Sequence, residues 1–249
     1  MIKAINQLWV LPATVAGMLG CSTTHAQESD WQYSASVYLW GASADIETEA
    51  GSDVEIRFSD IAKDLKLGGM LTTTAQRDKW LLLADMIYLD MDDNVKDSVL
   101  PGVELNDLGL EAWIVTPMAG YQLLNSGKHT LYAMAGARYL WIDIAMKTDI
   151  SAPFATDSVK SSVSKGSWDG IVGFHGDWKL HEKWYASYHL DAGAGDSDFT
   201  WQAVTTVGYR FENFDAKFGY RYIDWNDTEN DALTDLNFGG FIGGVTFHF

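Results

Sequence analysis

Asp85 stands alone among the leucines of LLLADMIYL (Leu81–Leu89), and an arginine recurs in the small motif G-x-R-[YF]: Arg138 in GARYLWID, Arg210 in GYRF and Arg221 in GYRYID. Asp191 follows His189 by two positions. With Glu111, Asp169, Asp177, His175 and Lys217, these residues make a set whose acids and bases nearly balance in sign. Each interrupts a stretch rich in apolar residues, where an unpaired charge is costly. The predicted chemistry is therefore mutual neutralisation in a salt-bridge network, with Arg138 or Arg221 as the partner of Asp85. The glycine of each G-x-R-[YF] reads as room for a bulky neighbour. Phosphate-loop chemistry has no support, because GGFIGG (Gly239–Gly244) is a glycine-eased strand with no helix to follow. Asp92, Asp93, Asp227, Glu229 and Asp231 are of the type that attracts hard cations. They lack the spacing of a known cation loop and read as a solvated acidic surface. No catalytic residue, cofactor or metal site is expected.

The elements that hold this set must be strands. From Trp31, the residues Trp31, Tyr33, Ala35, Val37 and Leu39 alternate with Gln32, Ser34 and Ser36, the period of two of a half-buried strand. Nine further stretches behave alike: 67–76, 80–90, 108–124, 129–146, 167–180, 184–192, 199–211, 216–225 and 238–249. Tight polar turns join alternate pairs: RDK (Arg77–Lys79), NSGK (Asn125–Lys128), HEK (His181–Lys183) and ENFD (Glu212–Asp215). Between them lie longer, mostly acidic connections at 47–66, 92–107, 147–166 and 226–237, with the brief GAGDSD (Gly193–Asp198) as the exception. Ten strands with turns at one end and loops at the other predict a closed, antiparallel, up-and-down transmembrane β-barrel with both termini on the periplasmic side. In that barrel the ionisable set falls on the lumen face. A barrel of about ten strands lies near the size that side chains just fill, so a substantially filled lumen is expected, with a narrow polar channel as the alternative.

Composition agrees. Against 34 Asp+Glu stand only 17 Lys+Arg, a net charge of −17 that excludes a nucleic-acid partner needing clustered bases. No apolar run reaches the 18 residues of a membrane helix beyond the first segment. That segment carries Lys3, the apolar LWVLPATVAGML (Leu8–Leu19) and Thr24-His25-Ala26, the layout of a cleaved secretory signal at 1–26, which leaves 27–249 as the barrel domain. Cys21, in MLGC, is the sole cysteine and falls within it, so lipidation there is the rival to cleavage before Gln27.

The chain closes on GGVTFHF (Gly243–Phe249), with Phe241, Val245, Phe247 and Phe249 on one strand face. This ending resembles the C-terminal signature of Gram-negative outer-membrane β-barrels, and WQYSASVYLWG (Trp31–Gly41) is similar to the opening strand of a largely uncharacterised group of small barrels of that class. The resemblance implies that the four residues form an assembly signal read by the barrel-assembly machinery. It also implies an outer-membrane location in contact with lipid and lipopolysaccharide; it sets no oligomeric state. The leading expectation is a non-catalytic barrel serving envelope structure or surface interaction. Ten-stranded outer-membrane proteases set an Asp pair against an Asp-His pair at the rim, and Asp90 and Asp92 with His189 and Asp191 look like that set in reversed order. Lipid-A-modifying barrels need a Ser/His/acid set at the lipid face, whereas Ser187 and His189 share the lumen face.

Overall fold

A computed structural model describes residues 31–47, 53–56, 65–93, 97–100, 103–152, 155–226 and 235–249. The expected signal at 1–26, Cys21, and the acidic residues Asp227, Glu229 and Asp231 lie outside the described residues. Period-two alternation has produced strands throughout: β1 (Gln32–Glu47), β2 (Asp53–Ile56), β3 (Leu65–Arg77), β4 (Trp80–Asp93), β5 (Asp97–Leu100), β6 (Val103–Asn125), β7 (His129–Ala152), β8 (Ala155–Lys179), β9 (Trp184–Gly195), β10 (Phe199–Arg210), β11 (Asp215–Asn226) and β12 (Asp235–His248). Neighbours in the sheet pair antiparallel, and β12 closes on β1 from Ser34↔His248 to Glu47↔Asp235. The short β2 and β5 pair only with one end of β1 and of β6. The wall is therefore a closed barrel of ten strands, in which β1 meets β3 over Gln32–Val37 and Leu71–Gln76, and closure removes the two free outer strands of an open sheet.

The turns occupy one end. Arg77 pairs with Trp80 across a two-residue turn in which Asp78 takes φ 53°, and Gly127 takes φ 75° in the turn after β6. Both fall in the left-handed region that short hairpins demand. At this same end β1 begins and β12 finishes, with Phe249 N donating to Tyr33 O (2.9 Å) and Tyr33 N donating to Phe249 O (3.3 Å).

At the other end the structure corrects the expected loops. The described residues of 147–166, read as a loop, are strand, with β7 and β8 paired out to Ala152↔Ala155. Much of 92–107 belongs to β4, β5 and β6, and 47–66 contains β2 and the start of β3. The cause is that backbone pairing with a neighbour sustains a strand without an apolar face; the Val and Thr spaced along TDSVKSSVSK suit it. At 24 and 25 residues, β7 and β8 are about twice the 12 of β10. A bilayer takes only about 9–11 tilted residues, so these strands run well past it.

Each strand has an inner and an outer face. Outside, Val37, Leu39, Leu82, Val172, Phe174, Leu190, Phe218 and Phe241 are exposed. Aromatic pairs mark two belts. Trp80–Tyr121 (5.2 Å) and Trp184–Tyr209 (4.9 Å) lie at the turn end; Tyr88–Trp113 (4.4 Å), Tyr139–Trp168 (4.6 Å) and Trp201–Tyr222 (5.0 Å) lie toward the loop end. Trp80 and Tyr88 are eight positions apart on β4, roughly 20 Å along the barrel axis at ~3.3 Å per residue and ~40° tilt, close to the height of an outer-membrane apolar band. Amphipathic rings favour the two membrane interfaces that bound such a band.

Candidate functional site

Strand parity brings the ionisable residues inward at different heights. In mid-barrel, Arg138 of β7 is fully buried and donates through Nη2 to Asp191 Oδ1 at 2.6 Å and through Nη1 to Thr200 Oγ1 at 2.9 Å. The other oxygen of Asp191 meets His189 Nε2 at 2.8 Å and accepts from Gln202 Nε2 at 3.1 Å. Gln202 passes the network on, because its Oε1 accepts from Arg221 Nη2. Arg221 Nη1 then reaches Asp85 Oδ2 at 2.7 Å and the Tyr38 hydroxyl at 2.8 Å. Asp85 Oδ1 accepts from Tyr38 (2.8 Å) and Thr72 (2.6 Å).

The chain Asp85–Arg221–Gln202–Asp191–Arg138 links five strands, β4, β11, β10, β9 and β7. Each carboxylate has a guanidinium and further donors, the condition under which buried charges are tolerated. Both guanidinium groups also lie near an indole, Arg221 5.0 Å from the Trp40 ring and Arg138 5.8 Å from that of Trp225. Those rings belong to an apolar layer with Ile87, Ile114, Leu140, Ile223, Leu236, Phe238 and Ile242. Most of it sits farther from the turns than the charges do, so the lumen is filled on the loop side of the network.

On the turn side the lumen opens into a cavity of about 580 Å³, with Asp85, Arg221, Gln202 and His189 among its lining. Near its mouth Asp215 is buried, accepting from the Tyr185 hydroxyl (2.8 Å), with His248 Nε2 at 3.1 Å and Arg210 Nε at 3.4 Å. Asp177 accepts from Ser187 Oγ at 2.5 Å. Lys217 lines this cavity and lies 5.9 Å from the Tyr185 ring. The glycine of GYRF makes room as its motif implies: a Cβ on Gly208 would lie 2.3 Å from Tyr185 Cζ.

Asp169 is buried farther toward the loops, where its Oδ1 accepts from Ser197 N (3.0 Å) and Ser197 Oγ (2.7 Å), fastening the short β9–β10 turn. Glu111 departs from expectation. On β6 the buried residues are Ala112, Ile114, Thr116 and Met118, so Glu111 faces outward, with the Tyr88 hydroxyl donating to it at 3.3 Å. An outward carboxylate is tolerable there because it lies at the loop-side aromatic belt, at the edge of the apolar band. Asp90, paired with Glu111 across β4 and β6, shares that outward face. His189 and Asp191 are inside the barrel while Asp90 faces outward, so these three members of the set resembling a rim protease do not converge. Ser187 and His189 line the cavity, away from the lipid face. The side chain of Asp92 is outside the described residues, and no group of three or more metal-ligating side chains occurs among the described ones.

At the closing strand, Phe241, Phe247 and Phe249 are exposed on the outer wall, and Phe247 packs 6.4 Å from Phe214. Tyr38, Thr72, Trp40 and the inward-facing Gln202 touch the network but lie outside the predicted ionisable set. Their inward strand parity was the available signal.

Comparison with protein-family models gives no match, and comparison with curated proteins gives none either. Solved structures of outer-membrane barrels align with the chain at low identity. Neisserial surface protein A is 13% identical, with TM-score 0.39 over 89% of this chain and 98% of its own. Ail of Yersinia pestis, in complex with the heparin analogue sucrose octasulfate, is 14% identical, with TM-score 0.40 over 88% and 98%. The translocator domain of the autotransporter NalP from Neisseria meningitidis is 11% identical, with TM-score 0.44 over 88% and 89%. The chain resembles small outer-membrane barrels as a class; likeness at this level says nothing of ligands.

Proposed function

We propose that the chain is an integral outer-membrane β-barrel of a Gram-negative bacterium that neither catalyses nor conducts steadily. Its wall contacts lipid and lipopolysaccharide, and paired charges seal its lumen. The sheet of β6, β7 and β8 beyond the loop-side aromatic belt is the part offered to the surroundings. The observation that carries this reading is the network from Asp85 through Arg221, Gln202 and Asp191 to Arg138 under its apolar layer. A solute crossing the barrel would have to break ion pairs in a low-dielectric interior, each costing about 3–5 kcal/mol when one partner is lost. The outward faces of Phe241, Phe247 and Phe249 suit a signal for the barrel-assembly machinery.

A second reading, a narrow passive channel for small solutes, draws on the turn-side cavity, which already opens half of the path. Proteoliposome swelling in a small sugar separates the two. Liposomes carrying the folded protein should swell no faster than empty ones, and rapid swelling would favour the channel.

A further inference from the structure

We propose that His175 and His189 form a two-imidazole site for a borderline divalent cation of the Zn²⁺ type, reached from the turn-side cavity. The two residues are direct cross-strand partners on β8 and β9, and both line that cavity. Their ring centroids are 5.8 Å apart at an interplanar angle of 49°.

Each histidine is followed two positions later by an aspartate on the same face, His175-Gly176-Asp177 and His189-Leu190-Asp191. His189 Nε2 lies 2.8 Å from Asp191 Oδ2, and His175 Nε2 lies 3.8 Å from Asp177 Oδ2. The Asp191 carboxylate, within hydrogen-bond reach of His189 Nε2, favours the tautomer with its proton there, which leaves a lone pair on Nδ1; Asp177 stands near His175 Nε2 without a hydrogen bond. This carboxylate–imidazole arrangement is the one that orients metal-ligating histidines. Both Nδ1 atoms are buried, and neither has a hydrogen-bond partner. A buried acceptor left unmet costs about 1–3 kcal/mol, and the role of His189 in the charged seal uses only Nε2. One cation bound to both Nδ1 atoms would satisfy the two orphans together.

The dimensions fit. With metal–nitrogen distances of about 2.0–2.1 Å and a tetrahedral angle, two ring centres come to lie roughly 5 Å apart, within about 1 Å of the observed separation. Imidazole donors select Zn²⁺, Cu²⁺ or Ni²⁺ over Mg²⁺ and Ca²⁺, which want oxygen. The negative groups nearest are Asp177 and Asp191; the positive ones are Lys217, facing the same cavity, and Arg138, bound to Asp191. With two protein donors, the other coordination positions fall to water from the cavity, so the cation exchanges readily.

The test is calorimetric titration of tag-free protein, refolded in detergent micelles, with Zn²⁺, alongside paramagnetic resonance of the Cu²⁺-loaded form. Wild type should take up a single Zn²⁺, and its Cu²⁺ spectrum should carry coupling to two imidazole nitrogens. His175→Gln and His189→Gln should each abolish uptake, and His181→Gln, in an exposed turn, should leave it unchanged. Heat-dependent gel mobility reports whether each variant is folded. Absence of stoichiometric uptake by wild type, or unchanged uptake by folded His175→Gln, overturns the proposal. Should the histidine variants fail to fold, a wild-type Cu²⁺ spectrum with fewer than two imidazoles overturns it.

Discussion

Asp85 on β4 and Arg221 on β11 meet at 2.7 Å across the lumen, from strands that β12, β1 and β3 separate along the wall. The pair holds the barrel together through its interior as well as through its sheet. Arg221→Ala would leave Asp85 buried with only Tyr38 and Thr72 as donors. The loss should be about 3–5 kcal/mol, read as a lower midpoint in urea unfolding followed by tryptophan fluorescence. Replacing both residues, Asp85→Leu with Arg221→Met, removes the uncompensated charge and should recover much of that loss. An Arg221→Ala protein as stable as wild type would mean that the pair is solvated.

Gly208 tests the glycine of the G-x-R-[YF] motif. A methyl there meets the Tyr185 ring, whose hydroxyl donates to the buried Asp215. Gly208→Ala should cost about 1–3 kcal/mol by overpacking, measured by the same unfolding transition. Tyr185→Ala added to it should make the glycine substitution nearly silent, since the obstructing ring is gone.

The ten strands were legible because one face of each had to be apolar for lipid, and period two survives wherever that demand holds. The extensions of β7 and β8 were not, since beyond the membrane nothing imposes an apolar face and Ser, Asp and Lys disguise a strand as a loop. Asp85 and Arg221 could be placed as lumen partners because each is a charge on a lipid-depth strand. Glu111 could not, because Leu110, Ala112 and Ile114 alternate with Trp113 and Val115, so both faces of β6 read as apolar. The link through Gln202 depends on which strands face one another across a closed barrel, and no local pattern encodes that.

Phe249 exchanges two backbone hydrogen bonds with Tyr33 at the seam. Deleting Phe249 removes both, and each bond is worth about 0.5–1.5 kcal/mol. Phe249→Asp keeps the backbone but loses the exposed ring. If the ring is the assembly signal, both variants should accumulate less folded barrel in the outer membrane, as read by heat-dependent gel mobility of membrane fractions. Loss confined to the deletion would make the seam bonds, and not the ring, responsible.

The β7–β8 hairpin gives a test of orientation. An epitope inserted between residues 153 and 154 should be stained by antibody on intact cells. The same epitope between Ser126 and Gly127, in a tight turn at the opposite end, should stain only after the outer membrane is opened. The reverse pattern would mean that the barrel is inserted the other way up.

Single-channel recording of the folded protein in a planar bilayer tests the sealed lumen most directly. Wild type should show no steady conductance, while Arg138→Ala combined with Arg221→Ala should leave Asp85 and Asp191 without their guanidinium partners and open a cation-selective current. A steady wild-type current that the double substitution leaves unchanged would contradict the seal.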